Sequence, residues 1–219
     1  MSRDREIETI RLPGLVPYEE AYRLQLSRRN AVEAGQLGNA LFVVEHAPVI
    51  TLGRSSKREH VVATPEQLAA QGVAVVESDR GGDVTYHGPG QLVAYPVLDL
   101  GQWRRSIRWY LRTLEEILIR QLRGYGLEAG RAEGYTGVWV AGAKVAAIGV
   151  GIHNWVTFHG IALNVNPEMA HFGLIVPCGI GDRPVTSLKQ LMDRPPSMAQ
   201  AMADFEGQFR QYLATWRSE

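Results

Sequence analysis

Three apolar runs, residues 136–140, 143–150 and 157–164, follow one another with almost nothing between them. The breaks are Ala141-Gly142 and a short stretch holding His153-Asn154, residue pairs that suit tight turns. Strand-length runs joined this closely can pair only as antiparallel neighbours, so a β-meander is the least escapable element of the fold. Further strand-like runs lie at 40–45, 49–52, 73–77 and 91–98.

Helical periodicity occupies other stretches. Between 103 and 125, Ile107, Tyr110, Leu111, Leu114, Leu118 and Leu122 form one stripe, with the arginines mostly off it. Tyr18, Tyr22 and Leu26 mark a helix over 18–34, and Met198, Met202, Phe205, Phe209, Tyr212 and Trp216 mark a carboxy-terminal one. Thr64-Pro65-Glu66-Gln67 predicts a capped helix start. Hairpins interspersed with helices predict an α+β fold, a mixed β-sheet with helices packed mainly on one side. Residues 1–219 read as one catalytic-sized domain, with Pro195-Pro196 as a candidate hinge before a last helix that could stand apart as a small lobe.

Charge narrows the partners. The 23 basic and 23 acidic residues cancel, so no net charge drives binding to nucleic acid or to an anionic membrane. The amino terminus runs straight into charge, and no apolar stretch is long enough to span a bilayer. The expectation is a cytoplasmic protein whose single cysteine stays a thiol.

Three segments stand out chemically. The first is Arg80, Gly81, Gly82, Asp83, Val84, Thr85, Tyr86 and His87, continuing through Gly88-Pro89-Gly90-Gln91. Its glycines allow close approach of backbone to a ligand, Arg80 is suited to anchor a carboxylate or phosphate, and Tyr86 and His87 to line a pocket. It matches neither a phosphate-binding loop nor a dinucleotide fingerprint. In the second, Lys144 is the single charge in a small apolar run that includes Ala147, Ile148 and Gly149. A strand lysine ordinarily faces solvent; one desolvated in an apolar pocket can act as a base. The third, His159 to Asn166, contains Gly160, Ile161 and Ala162, which leave room above a central strand. His153 and His159 fit no common zinc spacing, so no metal site is expected. His46 is an auxiliary candidate that could approach His87 across strands. Cys178, between Pro177 and Gly179, is either packed away, a common fate of free cysteines, or a reactive thiol at a strand end.

Taken together, RGGDVTYHGPGQLVAYPVLDL, KVAAIGVGI, FHGIALNVNP and VPCGI, with EHAPVITLGRSS upstream, resemble the lipoyl(octanoyl) transferase family, also called lipoate-protein ligase B. The resemblance runs from about Glu45 to Leu188. It implies the α+β sheet of the biotin- and lipoate-protein ligase catalytic domain. It also implies transfer of an octanoyl or lipoyl group from acyl carrier protein to a lysine of lipoyl domains, those of 2-oxo-acid dehydrogenase complexes and the glycine-cleavage H protein. This is the first step of endogenous protein lipoylation. Carried onto this chain, Cys178 becomes the nucleophile and Lys144 the group that lowers the thiol's pKa or takes its proton. Residues 80–87, 147–149 and 160–162 become the substrate-binding positions. No cofactor is implied, because exchange between thioesters is nearly balanced without ATP or metal. Two rival expectations remain: an ATP-dependent lipoate or biotin ligase on the same fold, and a non-catalytic protein that binds an acyl carrier.

Overall fold

The computed structural model describes residues 5–176 and 183–216. Its centre is a seven-stranded sheet in the order β1-β2-β6-β10-β9-β8-β7. The strands are β1 (Ile7–Val16), β2 (Asn39–His46), β6 (Gln91–Val97), β7 (Ala129–Ala132), β8 (Tyr135–Val140), β9 (Ala143–His153) and β10 (Val156–Asn164). A second sheet, in the order β4-β3-β5, holds β3 (Val49–Leu52), β4 (Ala74–Glu77) and β5 (Val84–His87). The predicted meander is β8-β9-β10, antiparallel throughout. Ala141 and Gly142 at one turn, and Asn154 and Trp155 at the other, adopt positive φ, which supplies the twist that two-residue hairpins require.

The helices are α1 (Tyr18–Glu33), α2 (Pro65–Ala70), α3 (Ile107–Gly124), α4 (Leu188–Leu191) and α5 (Met198–Thr215). Thr64 caps α2 in a full capping box, while Ser106 and Ser197 accept from the third helical amides of α3 and α5. Tyr110, Leu114, Leu118 and Leu122 of the α3 stripe and Phe205 and Phe209 of α5 pack on one face of the large sheet, forming the main core, while Ile107 of the stripe is exposed. The expectation that helices lie mainly on one side needs correction. Helix α1 covers the opposite face, where Ala21 and Val32 meet Phe42, Val44, Val93 and Tyr95. Strands β2 and β6 are buried along their length, and a central strand apolar on both sides must be covered on both sides.

The appended-lobe expectation also fails. Phe205 and Phe209 are fully buried, and Gln121 of α3 donates to the Ala201 carbonyl of α5 at 2.9 Å. Three strands escaped the sequence reading. β1 pairs parallel with β2 but shifts register between Arg11 and Leu15, around Pro13-Gly14, so its alternation is broken. β7 is short, and β5 lies inside the glycine-rich segment. No helix among the described residues is long and apolar enough to cross a membrane.

Candidate active site

A cavity of about 580 Å³ lies where the small sheet meets the β9–β10 hairpin, a volume typical of small-molecule sites. The segment leading through β5 contributes Arg80, Gly81, Gly82, Asp83, Val84, Thr85 and His87. Strand β9 contributes Lys144, Ala147, Ile148 and Gly149, and β10 contributes His159, Gly160, Ile161 and Ala162. The exposed residues Ile107, Gly134 and Thr136, with Leu111 and Tyr135, form its rim.

The sheet register explains why these segments converge. Ala147 pairs with Ala162, Ile148 with Ile161 and Gly149 with Gly160. Two motifs separated in sequence are therefore cross-strand partners, and the paired glycines strip side chains from the middle of the surface. Gly81 settles onto that bare patch, its amide donating to the Val150 carbonyl at 2.8 Å. A Cβ on Gly149 would lie 2.9 Å from the Gly81 oxygen, so the close approach demands glycine at 149.

Arg80 lines the cavity and is also bonded into the fold. Its guanidinium turns inward, with Nε donating to Thr51 Oγ1 at 3.0 Å and Nη2 to the Thr51 carbonyl at 2.7 Å. Nη1 donates to the Gly81 carbonyl at 3.2 Å. This buried cation fastens the glycine-rich turn to β3, and it places fixed positive charge on the cavity wall. Asp83 is likewise occupied, accepting from the Val84 amide at 2.7 Å and lying 2.6 Å from His60 Nδ1. Tyr86, expected to line a pocket, does not line this one. It is fully buried beneath the small sheet, 2.7 Å from His171 Nδ1 and edge-on to Phe172. Period-two alternation turns it away from the cavity that its neighbours Thr85 and His87 face.

Lys144 is buried, its Nζ 5.0 Å from the centroid of the Trp139 ring, an attractive cation–π placement. Its amide donates to Pro184 O and its carbonyl accepts from Thr186, both at 2.9 Å. On the other side, the Val176 amide donates to His60 O at 2.8 Å, and Ile175 bridges Val61. Cys178 lies outside the described residues. The chain on its carboxy-terminal side is thus laced directly to Lys144.

The polar end of the cavity was not legible as a unit. Tyr18, Tyr95, His87 and His159 line it. His46 stands behind them with its ring 5.9 Å from that of His87, but it does not line the cavity. Its Nδ1 lies 2.8 Å from the Val16 carbonyl, which can only accept. The Nε2 atom, 2.7 Å from the Tyr95 hydroxyl, therefore accepts from it. Gln91 Nε2 donates to Tyr86 O and Asn164 Oδ1, so its Oε1 receives the His87 Nδ1 proton at 2.9 Å. This leaves His87 Nε2 as an acceptor. His159 adopts a left-handed φ of 55°, donates its amide to Gln25 Oε1 at 2.7 Å, and directs Nε2 to Asp79 Oδ1 at 2.7 Å. A non-glycine residue held at positive φ by its partners is strain of a kind that clusters at functional sites. Asp79, Tyr18 and Tyr95 were missed. Asp79 adjoins the glycine-rich run, and Tyr18 begins α1, where its stripe reads simply as core.

Burial holds these imidazoles neutral. It lowers His46 to about 4, against a partial rise from the Val16 carbonyl. It lowers His87 to about 3, with the nearby His46 and Arg80 adding to the effect. Burial also lowers His159, which Asp79 only partly offsets. Burial pushes Asp79 up, but its bonds from His159 and Tyr22 outweigh this and hold it below the usual carboxylate range. Below the ordinary histidine value of 6.5, the unfolded chain takes protons that folded His46 refuses until about 4 and His87 until about 3. Stability must therefore fall as pH drops through that window. The urea midpoint should decline from pH 6.5 to 4, and His87→Gln should flatten the slope. An undiminished slope in the variant would clear His87 as a source.

Among the described residues no three His, Cys, Asp or Glu side chains are grouped to hold a metal. The model of the lipoyl protein ligase A/B catalytic domain matches residues 17–210. An octanoyltransferase of Chloroflexus aggregans is 52% identical over 190 residues, covering 85% of this chain and 86% of its own. A bipartite lipoate protein ligase of Thermoplasma acidophilum superposes with a TM-score of 0.73 at 17% identity, covering 98% of this chain and 87% of its own. A biotin protein ligase of Aquifex aeolicus gives 0.59 at 13%, covering 94% and 70%. At such identities these two structures speak to the α+β fold alone. The chain belongs to the lipoyl protein ligase A/B catalytic domain family, and within it is an acyltransferase.

Proposed function

We propose that this acyltransferase moves an octanoyl (or lipoyl) group from the phosphopantetheine thiol of acyl carrier protein to one lysine of a lipoyl domain, through a thioester on Cys178. The observation that carries the reading is the lacing of Lys144, on the cavity wall, to residues 184 and 186 just beyond the cysteine segment. The relatives named octanoyltransferase support the acyl group chosen.

In the first half-reaction the Cys178 thiolate attacks the donor thioester. The Cys178 S–C bond forms, the bond to the pantetheine sulfur breaks, and that sulfur leaves as a thiol after taking a proton. Lys144 holds the proton that Cys178 gave up and returns it to the leaving sulfur. In the second half-reaction the neutral amine of the target lysine attacks the acyl-Cys178 carbonyl. The amide forms, Cys178 leaves, and Lys144 takes the surplus proton from nitrogen. The donor already carries an activated acyl group, so neither ATP nor metal enters the balance. The slot over the paired strands β9 and β10, floored by Gly149, Gly160, Ala147 and Ala162, takes the chain. The neutral histidines and tyrosines beyond it make its inner end polar without making it charged. The partners are acyl carrier protein and lipoyl domains, and the setting is the cytoplasm.

Intact-protein mass spectrometry after mixing with octanoyl-acyl carrier protein, without ATP, tests this. The expected result is one octanoyl adduct, absent in Cys178→Ser and discharged on adding a lipoyl domain. No adduct and no transfer would sink the two-step mechanism, and transfer appearing only with ATP would establish the ligase instead.

A further inference from the structure

Resting on that transferase reading, we infer that the amino-terminal turn of α3 is the docking surface for the donor, an acidic carrier domain bearing a phosphopantetheine arm. Arg104, Arg105 and Arg108 are exposed around Ile107, which is itself 52% exposed and lines the cavity. Among the described residues, none of the three arginines makes an ion pair or side-chain hydrogen bond. In the middle of the helix Arg112 pairs with Glu115 at 2.6 Å and Arg120 with Glu116 at 3.2 Å.

Helix stability does not account for the three. The first turn of α3 contains no acid, and cations at a helix amino terminus oppose the helix dipole. In a chain with no net charge, they make a local positive rim beside the entrance. Across the entrance, exposed Arg183 stacks on Tyr135 at 4.9 Å, while Glu133 is the exposed acid next to Gly134.

The chemistry selects the donor over the acceptor. The prosthetic arm carries a phosphodiester at its root and the acyl thioester at its tip. An arginine rim satisfies the first, and Ile107, Leu111 and Tyr135 give an apolar entrance for the second. The acceptor must bring a lysine to the same place, and flanking arginines would repel its charge.

The test compares wild type with the triple variant Arg104→Glu, Arg105→Glu, Arg108→Glu, using octanoyl-acyl carrier protein and the small donor octanoyl-pantetheine. A charge reversal on an interface rim acts on association, so KM for the carrier should rise about tenfold or more. Added salt should raise the wild-type KM for the carrier and, by screening the new repulsion, lower that of the variant. Turnover of octanoyl-pantetheine should be unchanged, which also establishes that the variant is folded. An unchanged KM for the carrier would overturn the assignment. So would equal losses with both donors, or a rise in KM for the lipoyl domain instead. Wild-type enzyme acylated by neither donor would remove the transferase reading, and this surface with it.

Discussion

Lys144→Met is expected to lower octanoyl transfer by about 10²- to 10⁴-fold, the range that a positioned proton-transfer group contributes. The methionine side chain keeps length and apolar contact but loses the amine. The bonds that lace Lys144 to Pro184 and Thr186 are made by its backbone, and methionine keeps both groups. The loss therefore reports the side chain rather than the local fold. Lys144→Arg should fail to rescue, because a guanidinium keeps its charge and cannot accept a proton. Single-turnover acylation of Cys178, followed by transfer to a lipoyl domain, resolves the two halves of the reaction. Both should slow, since the proposal has Lys144 carry a proton in each. Near-normal rates in Lys144→Met would exclude it from the chemistry.

Gly160→Ala should cost stability more heavily than a single methyl group suggests. An added Cβ at 160 would meet the Ala94 carbonyl oxygen at 2.2 Å and Pro96 Cδ at 2.7 Å. Both belong to the neighbouring strand β6, paired to β10 through Ile161 and Ala94, so relief requires the sheet to part. Overpacking of this kind costs up to roughly 3 kcal/mol, which in a domain of this size is a fall of about 10 °C in Tm. Gly38→Ala is the matched control, because nothing lies within 4 Å of its added Cβ. Equal melting temperatures for the two variants would show that β6 and β10 accommodate the methyl group, and that Gly160 is not required by packing.

Two kinds of information separate here. The amino-acid sequence by itself determined the meander, because turn pairs such as Ala141-Gly142 and apolar runs of strand length act locally. It determined α3 and α5 for the same reason, through their stripes. It also displayed the glycine-rich segment, Lys144 and the small residues around 148 and 161 as chemically unusual. Only the tertiary structure decided that Gly149 and Gly160 face each other, since register depends on pairing across the whole hairpin. Tertiary packing decided that Tyr86 turns beneath the small sheet and that the Arg80 guanidinium bonds Thr51, because side-chain direction follows strand alternation and competing partners. The same holds for the polar wall. Asp79 and His159 lie far apart in the chain, as do His46 and Tyr95, and no local pattern records either pair. Hydrogen bonding between such residues exists only after the apolar faces of the sheet and helices have brought them together, and it is burial by those faces that keeps the histidines neutral.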